Sequence, residues 1–592
     1  MFRSPLLLSL FIAACASPPP RGEVDAAVTL LRETAIDHDV QPIESELMQL
    51  ADEDEHRIAI LNVGADAFAA RVHAMRAARE SIDIQVFAWA ADDAGIFLFQ
   101  EALRAAQRGV RVRLLADQLA TGGAAGIVNT VTAHENLEVR FYNPIANRDS
   151  NSLSDLFFSA ASDFKLVNHR MHNKVMVVDR KLGIVGGRNI EERYFDLDPQ
   201  FNFIDRDALV LGPALEDIAR SFDEYWSSDL SIPVAHLDDI GWELIGRAKK
   251  GEPGTPPLRE FPRLAWVDLQ AGLSSAADVM PHSPLYEADL IQFISDPPRK
   301  RTEEGVLVEW MGLDQSIFEM VDEFMVIQGN YLILSESVFR ELRELQERQP
   351  HAVIVYSTNS LASTGCFHCH AASRKQRERM VNHGLHIYEM RPEPGDVRHF
   401  SPRYELLVAE DRALPEDHGE QADDYELYDE VLTLDERAGP QYAIHAKSVV
   451  IDGDLGMIGS HNFDPRSRLH NTEAAVMFYG VEPVAALERE LLRMTEDPNS
   501  WTVAPEQRIP VWNEFCEVMS VTSRALPIFD VWPLFYTTNF ELREGCEPVL
   551  YDDPRFYENY RDVGEFPEVP LGLKKLNTRL FGIFGGFLVS LL

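Results

Sequence analysis

The sequence predicts an α/β fold that is present twice, because a polar motif and the order of the elements before it both recur. The string HNKVMVVDRKLGIVGGRN (172–189) aligns without gaps with HAKSVVIDGDLGMIGSHN (445–462), and the two share eight identities. Apolar runs alternate with amphipathic segments ahead of each string, a pattern typical of sheets covered by helices. We therefore predict an internal duplication of one α/β unit with a mostly parallel or mixed sheet.

The elements can be predicted in order. In the first copy an apolar run at 82–90 predicts a strand, amphipathic spacing at 96–107 predicts a helix, and residues 110–115 predict the next strand. In the second copy the segment NYLILSESVFRELRELQERQPHAVIVYS, which begins at Asn330, repeats this order. Another short strand ending in proline is expected at 137–144 and again in LHIYEMRP, the matching segment of the second copy.

The chain is long enough for more than one compact unit, since single cores stop growing at roughly 250–300 residues. We expect a first half at 55–245, a Pro/Gly linker at 246–275, a second half at 276–495 and a C-terminal extension at 496–592. Within the second half, residues 410–437 hold twelve acidic residues against two Arg. This insertion is interpreted as a solvated loop, with a lid or gate as the alternative.

The formal net charge of −40 bears on the partners. Nucleic acid and anionic membranes repel such a surface, so a polyanion would need a local basic pocket. We expect no nucleic acid partner.

The N-terminal segment 1–20, MFRSPLLLSLFIAACASPPP, is typical of an export signal followed by a stiff tether. Ile12-Ala13-Ala14-Cys15 resembles a bacterial lipobox, which implies that Cys15 is lipidated and anchors the chain to a membrane. Ala16 after this cysteine implies the outer membrane, with the protein facing the periplasm. A plain secretory signal is the alternative.

Four further cysteines are Cys366, Cys369, Cys516 and Cys546. In an oxidising envelope they allow two disulfides in any of three connectivities. The string CFHCH (366–370) also has the C-x-x-C-H spacing of c-type haem attachment. A local disulfide, a haem site and unpaired thiols all remain open for this pair.

The repeated motif carries the chemistry. Alternate residues of a strand share a face, so His172 and Lys174 point one way and Asp179 the other. We expect Asp179 to fix the turn that follows, where Gly186 and Gly187 let the chain bend and bring Asn189 near. If the two halves pack about a pseudo-twofold axis, both motifs meet in one pocket.

Such a pocket suits a phosphodiester. Two Lys and two Asn amides make a donor-rich cradle for phosphate, and two His supply a nucleophile and a general acid. No metal is required, because the Lys pair supplies the charge stabilisation. The predicted catalytic residues are His172, Lys174, Asp179, His445, Lys447 and Asp452.

The pattern H-x-K-x4-D-x6-G-[GS]-x-N, present twice, resembles the phospholipase D superfamily. Residues 168–195, 357–364 and 444–473 are similar to the bacterial cardiolipin synthase branch, particularly its C-type enzymes. The resemblance implies two phospholipase D-like α/β sandwich halves that form one active site, and a phosphohistidine intermediate. His172 is then the nucleophile and His445 the acid and base, or the reverse.

The resemblance also assigns supporting residues. Asn189, Asn462 and Ser460 would contact the substrate phosphate. A carboxylate downstream of each motif would orient a His, and by position these are Glu473 and either Asp207 or its neighbour Asp205.

This chain departs from the family after residue 364. Gly365 and Ser373 replace an Asp and a Tyr that are usual there, which leaves the acceptor alcohol open. The expected function is synthesis of cardiolipin from phosphatidylglycerol and a second phospholipid. The alternatives are a hydrolase that releases phosphatidic acid and a non-catalytic lipid-binding lipoprotein.

Overall fold

The computed structural model describes residues 17–33, 41–51, 55–121, 132, 134–150, 159, 164–252, 254, 259–300, 317–413, 439–507 and 537–568. Cys15, Cys516 and most of the acidic insertion lie outside these ranges. Within them, no helix combines the length and the apolar character needed to cross a bilayer.

The strands follow the duplication. Those up to the connecting segment are β1 (Arg57–Leu61), β2 (Ser81–Val86), β3 (Arg111–Asp117), β4 (Leu137–Tyr142), β5 (Val175–Val178), β6 (Leu182–Gly186), β7 (Phe201–Ile204), β8 (Asp207–Leu211), β9 (Ser231–Pro233) and β10 (Leu285–Glu287). Those that follow are β11 (Leu290–Ser295), β12 (Phe324–Gln328), β13 (Val353–Asn359), β14 (Leu385–Met390), β15 (Gln441–Ile444), β16 (Ser448–Ile451), β17 (Leu455–Gly459), β18 (Ala474–Tyr479), β19 (Ser500–Pro505), β20 (Thr537–Leu542) and β21 (Tyr560–Gly564).

The helices lie between these strands. In the first half and the connecting segment they are α1 (Arg21–Arg32), α2 (Glu46–Leu50), α3 (Gly64–Ala77), α4 (Asp93–Gln107), α5 (Gln118–Thr121), α6 (Phe164–Asn168), α7 (Leu215–Ser227), α8 (Asp238–Lys250), α9 (Ala265–Gln270) and α10 (Ala276–Val279). In the second half they are α11 (Glu336–Arg348), α12 (Phe367–Asn382), α13 (Val397–Phe400), α14 (Tyr404–Asp411), α15 (Pro465–Leu469), α16 (Val481–Arg493) and α17 (Phe556–Asn559).

The two large sheets share the order of eight strands. The first has the order β10-β1-β8-β6-β5-β2-β3-β4-β9, and the second has the order β11-β18-β17-β16-β12-β13-β14-β19-β20-β21. Strands β2, β3 and β4 are parallel, as are β12, β13 and β14, and the other pairs within each sheet are antiparallel. The predicted duplication of an α/β unit is confirmed, and each sheet is mixed.

One predicted strand lies elsewhere. The first parallel strand of the second sheet is β12 (Phe324–Gln328), which lies ahead of the predicted start at Asn330. The segment after Asn330 has the apolar composition of a strand, but its backbone N–H groups form hydrogen bonds with side chains. The N–H groups of Leu332 and Leu334 donate to side chains of the neighbouring helix α12, namely Ser373 Oγ (3.4 Å) and Gln376 Oε1 (2.7 Å).

The segments around the two halves also have regular structure. Residues 246–275, predicted as a linker, contain the end of α8 and all of α9, and Val267 of α9 is fully buried. In the predicted C-terminal extension, β19, β20 and β21 extend the edge of the second sheet next to β14.

An apolar core joins the two halves. The inner faces of both sheets meet there together with α7 and α16. Its buried side chains include Ile58, Ile60, Val175, Val177, Val185, Val210, Leu215, Ile218, Val326, Val355, Val450, Ile458, Val476, Phe478, Val484 and Leu487. Because burial of apolar surface is the main favourable term in folding, this core fixes the position of one half against the other.

Asp179 and Asp452 hold the start of a neighbouring strand. Both lie in the tight turn after β5 or β16 and have positive φ angles of 52° and 51°. Each carboxylate accepts three backbone N–H groups at 2.6–2.8 Å, from Arg79, Glu80 and Ser81 for Asp179 and from Asp322, Glu323 and Phe324 for Asp452. Both residues therefore hold the backbone at a turn, as was expected of Asp179, and their catalytic role stays a prediction.

We expect Asp452→Ala to lower the free energy of unfolding by about 2 kcal/mol, because three N–H groups at the start of β12 lose a charged acceptor. Denaturant unfolding followed by circular dichroism measures this change. The matched control is Asp454→Ala, an exposed residue in the same turn whose carboxylate makes no hydrogen bond to the described residues. Unchanged unfolding together with lost turnover would place Asp452 in catalysis after all.

Candidate active site

Two parallel pairings bring each His to a carboxylate of the other half. Strand β15 pairs with β7 across the two halves, so His445, which follows β15, meets Asp205, which follows β7. A parallel bridge between Met171 and Thr472 does the same for the next residues, His172 and Glu473. Each half therefore supplies the His of one pair and the carboxylate of the other.

Both pairs are close and buried. His172 Nδ1 lies 2.8 Å from Glu473 Oε2, and His445 Nδ1 lies 2.6 Å from Asp205 Oδ2. Both carboxylates are almost completely buried. A carboxylate that accepts the Nδ1 proton fixes the tautomer and leaves Nε2 as the reactive nitrogen. The structure thus places the predicted orienting residues Glu473 and Asp205 at the two His, and in each case the His belongs to the opposite half.

Asp207, the other predicted candidate, does not contact a His. Its Oδ2 accepts from Arg71 Nη2 (2.9 Å) and Arg188 Nη1 (3.3 Å), and its Oδ1 accepts from the Arg188 backbone N–H (3.2 Å). Asp207 is shared by two buried guanidinium groups, so the orienting role falls to Asp205 alone.

Each motif Lys folds back on its own His. Lys174 Nζ donates to the His172 carbonyl (2.7 Å), and Lys447 Nζ donates to the His445 carbonyl and lies 3.0 Å from its Nδ1. Burial lowers the pKa of Lys174 to about 7 and the pKa of Lys447 to about 8, although Glu473 and Asp205 act in the opposite direction. The two ammonium groups therefore lack full charge compensation in the empty site, and an anion would supply it.

The His pair is neutral in the empty site. Burial, together with Lys174 and Lys447, holds the pKa of His172 well below its ordinary value. Burial and the adjacent Lys447 lower the pKa of His445 to about 3, against the effect of Asp205. A neutral imidazole with a free Nε2 lone pair is the form that a nucleophile needs.

The two motif Asn residues differ in their contacts. The Asn189 amide donates to the Tyr194 hydroxyl (3.0 Å) and accepts from the Ala88 N–H (3.3 Å). Asn462 Oδ1 is buried and has no hydrogen-bond partner within the described part of the chain. That both Asn amides contact phosphate stays a prediction.

Gly187 and Ser460 occupy the same position in the two motifs and serve the two carboxylates differently. A Cβ at Gly187 would lie 2.2 Å from Asp205 Oδ1, so a side chain there would displace that carboxylate. Ser460 Oγ donates to Glu473 Oε2 at 2.5 Å. Ser460 therefore steadies the carboxylate that orients His172, and its predicted phosphate contact stays a prediction.

Arg188 links several parts of the site and was not predicted. Its side chain is fully buried, and it donates at 2.6–2.9 Å to the backbone carbonyls of Leu61, Asn62, Tyr194 and Asp205. The second motif has His461 at this position, so comparison of the two copies hides Arg188. The sequence signal that could have identified Arg188 is a charged residue within the glycine-rich end of the first motif.

Two further buried side chains, those of Asn359 and Asp296, hold the backbone next to the His–carboxylate pairs. The Asn359 amide bonds both backbone groups of Ile444, at 2.7 and 2.8 Å, immediately before His445. Asp296 accepts from the Glu473 N–H (3.0 Å) and from Lys300 Nζ (2.8 Å). Asn359 lies in a segment that carried the family resemblance, whereas no pattern marked Asp296 or Lys300.

The CFHCH string forms a local disulfide. Cys366 and Cys369 are bonded to each other at the start of α12, and Cys546 has no disulfide partner among the described residues. Of the three alternatives for this pair, the disulfide is the one found.

The sequence of this chain is similar to those of known proteins. The family model for cardiolipin synthase, PLD-like domain, matches residues 72–226 and 405–495. Cardiolipin synthase C of Escherichia coli (strain K12) is 30% identical over 417 residues, which cover 70% of this chain and 79% of that protein. The chain belongs to the cardiolipin synthase family of phospholipase D-like proteins. It is accordingly an enzyme of the phospholipase D-type phosphatidyltransferase class.

Other relatives of this cardiolipin synthase family member are more distant. An uncharacterized protein of Helicobacter pylori is 27% identical over 485 residues, 81% of this chain and 87% of its own length. The crystal structure of phosphatidylserine synthase from Haemophilus influenzae Rd KW20 covers 80% of this chain and 91% of its own, with a TM-score of 0.46 and 14% identity.

We expect Asp205→Asn to lower kcat by about 100-fold or more with little change in KM, because an amide cannot hold His445 in the same tautomer and stabilise its charged form. Initial rates of phospholipid turnover over a range of substrate concentrations separate the two constants. Asp217→Asn makes the same chemical change at an exposed residue of α7 and should leave both unchanged. A normal kcat for Asp205→Asn would remove the His–carboxylate pair from the mechanism.

The Lys pair predicts an alkaline decline in kcat/KM. Both ammonium groups are charged below their lowered pKa values of about 7 and about 8 and lose charge as pH rises through them. Since kcat/KM reports the free enzyme, we expect it to fall across this range, while kcat falls at higher pH because bound phosphate favours the charged Lys. In Lys447→Arg the guanidinium stays charged, so the step near pH 8 should disappear while the step of Lys174 near pH 7 remains. A kcat/KM that stays level to strongly alkaline pH would contradict this.

Proposed function

We propose that this enzyme makes cardiolipin by moving a phosphatidyl group from one phospholipid to the headgroup hydroxyl of phosphatidylglycerol. The observation that carries the proposal is the doubled His–carboxylate pair next to two buried Lys. Transfer through a covalent intermediate needs a nucleophile and a separate proton donor, each held in one tautomer. A lipid-binding protein needs the Lys but has no use for two oriented His.

In the first step His172 Nε2 attacks the phosphorus of the donor lipid. His445 takes up a proton at Nε2 from solvent when the anionic lipid binds. The P–N bond then forms, the bond from phosphorus to the headgroup oxygen breaks, and His445 gives that proton to the headgroup oxygen. Lys174 and Lys447 bind the non-bridging oxygens and stabilise the negative charge of the transition state. Glu473 stabilises the positive charge that develops on His172.

The second step reverses the roles. Neutral His445 accepts the proton of the phosphatidylglycerol hydroxyl, whose oxygen attacks phosphorus. The P–N bond to His172 breaks, and cardiolipin leaves with both phosphodiester bonds intact. Since one phosphodiester is exchanged for another, the reaction needs no nucleotide.

The assignment of His172 as nucleophile follows from its place in the first motif. The two His–carboxylate pairs have similar contacts. The reverse assignment, with His445 as nucleophile and His172 as proton donor, therefore uses the same chemistry. Water in place of the acceptor alcohol would give phosphatidic acid.

The deciding experiment gives the full-length protein phosphatidylglycerol vesicles with and without phosphatidylethanolamine and identifies the lipid products by mass spectrometry. We expect cardiolipin from the wild type and none from His172→Ala or His445→Ala, because each lacks one required group. His351→Ala, at an exposed His away from the site, is the control and should be fully active.

The outcomes separate the alternatives. Dependence of cardiolipin on phosphatidylethanolamine would make that lipid the donor. Phosphatidic acid without cardiolipin would make the enzyme a hydrolase. Cardiolipin from either His variant at the wild-type rate would refute the two-half mechanism.

A further inference from the structure

The Cys366–Cys369 disulfide has no part in the mechanism described above. It joins the residue that precedes α12 to a residue in the first turn of that helix. The stabilisation that a disulfide adds by restricting the unfolded chain grows with the length of the loop that it closes. A loop this short adds little to the stability of the whole protein, so the effect of the disulfide is local.

The two cysteines differ in accessibility. Cys366 is partly exposed, whereas Cys369 is 5% exposed and packs against Tyr331 and Ile333. Thiol–disulfide exchange requires access to the sulfur that is attacked, so a dithiol in solution reaches the pair at Cys366. The N-terminus of a helix favours a thiolate over a thiol, and a Cys366 thiolate can therefore restore the disulfide in the return reaction.

A short turn connects the disulfide to Asn359. The Cys366 N–H donates to Thr364 Oγ1 (3.1 Å), and the Thr364 N–H donates to the Ser360 carbonyl (3.0 Å). Ser360 directly follows Asn359, whose amide bonds both backbone groups of the residue before His445 (2.7 and 2.8 Å). The backbone that carries His445 is therefore held by a turn that ends at the disulfide.

The same turn contacts the rings beside His445. A Cβ at Gly365 would lie 3.6 Å from the Phe201 ring and 3.9 Å from the Phe203 ring, so the backbone at Gly365 packs against both rings. The centroid of the Phe203 ring lies 5.1 Å from that of the His445 ring. The segment that leads to the disulfide thus supports His445 at its backbone and at its imidazole.

The first half holds the backbone before its own His by an ion pair. Asp117 ends β3 as Asn359 ends β13, and its carboxylate accepts from the N–H of Met171, the residue before His172 (2.9 Å). The same carboxylate is paired with the buried guanidinium of Arg170 (3.1 Å). Reduction of a disulfide leaves these contacts unchanged, so a redox change at α12 would act on one His of the site and not on the other.

We propose that Cys366 and Cys369 form a reversible redox site, which holds His445 in its reactive position when oxidised and releases it when a dithiol reduces the pair. This rests on the proposed function in that His445 transfers the proton. Reduction separates the turn from the first residues of α12, so that Asn359 and the Phe203 ring no longer fix His445.

The exchange proceeds in two steps. A thiolate of the dithiol attacks Cys366 Sγ, the bond between the two cysteines breaks, and Cys369 leaves as a thiolate that takes up a proton. The second thiol of the reductant then attacks the mixed disulfide and releases Cys366. Two electrons and two protons pass to the pair, and the dithiol becomes a disulfide.

The test uses the full-length protein with Cys516→Ser and Cys546→Ser, which leaves Cys366 and Cys369 as its cysteines after the N-terminal segment. Dithiothreitol is the reductant, and iodoacetamide labelling read by mass spectrometry reports the state of the pair. We expect kcat for phosphatidylglycerol turnover to fall about tenfold on reduction with KM unchanged, because small displacements of a catalytic group are costly. Reoxidation should restore it.

The matched control adds Cys366→Ser and Cys369→Ser to the same protein. It should have the low kcat of the reduced protein both with and without dithiothreitol. The proposal is wrong if dithiothreitol cannot reduce the pair in the folded protein, if kcat is equal in the two states, or if the control still responds to the reductant.

A second measurement does not depend on turnover. Hydrogen–deuterium exchange of the peptide 441–446 reports on the Ile444 N–H, which donates to Asn359. We expect faster exchange there after reduction, while the peptide 169–173 stays unchanged. Equal exchange of 441–446 in both states would overturn the proposal. If the wild type makes no cardiolipin, the transfer reaction fails while this exchange still decides whether the disulfide holds the backbone before His445.

Discussion

The pairing of each His with a carboxylate from the other half is the constraint on which the structure depends. Burial would raise the pKa of Asp205, yet His445 and Lys447 hold that pKa below its ordinary value. Without the second half, Asp205 would lose His445 and Lys447 and keep the Arg206 N–H (2.7 Å) and the charge of Arg188 from its own half. Neither half therefore contains a complete site. The apolar core between the sheets, the pairing of β7 with β15 and the His–carboxylate pairs all form only when the two halves pack together.

Duplication produced two similar pairs, and later differences made them unequal. Gly187 leaves room for the short carboxylate of Asp205, whereas Ser460 supports the longer Glu473. The two imidazoles therefore have different surroundings, and under the proposed mechanism they take different roles, as nucleophile and as proton donor.

The repeated spacing of polar residues predicted the two-half α/β fold and the convergent site, because His and Lys are costly to bury within apolar strands unless they meet polar partners there. The sequence could not decide between Asp205 and Asp207, because the decision depends on packing. The carboxylate of Asp205 lies close to Gly187, whereas that of Asp207 is paired with Arg188. The sequence left Asp179 with two interpretations, as a turn residue and as a catalytic one, because spacing along a strand does not show which backbone amides lie across the sheet. The start of β12 was missed because strand composition does not reveal competing side-chain acceptors.

The charges of the site explain how a His with a lowered pKa can act as an acid. Lys174 and Lys447 match Asp205 and Glu473 in number when both imidazoles are neutral, yet burial lowers the pKa values of both Lys, so their charges are incompletely compensated in the empty site. Under the proposed mechanism a bound phosphodiester adds one negative charge, which favours the charged Lys pair and a protonated His445. The substrate would then help to form its own general acid. The charge of the Lys pair would also favour a lipid phosphate in a protein whose overall charge is −40, since the repulsion from distant surface carboxylates is screened by salt while the buried groups are not.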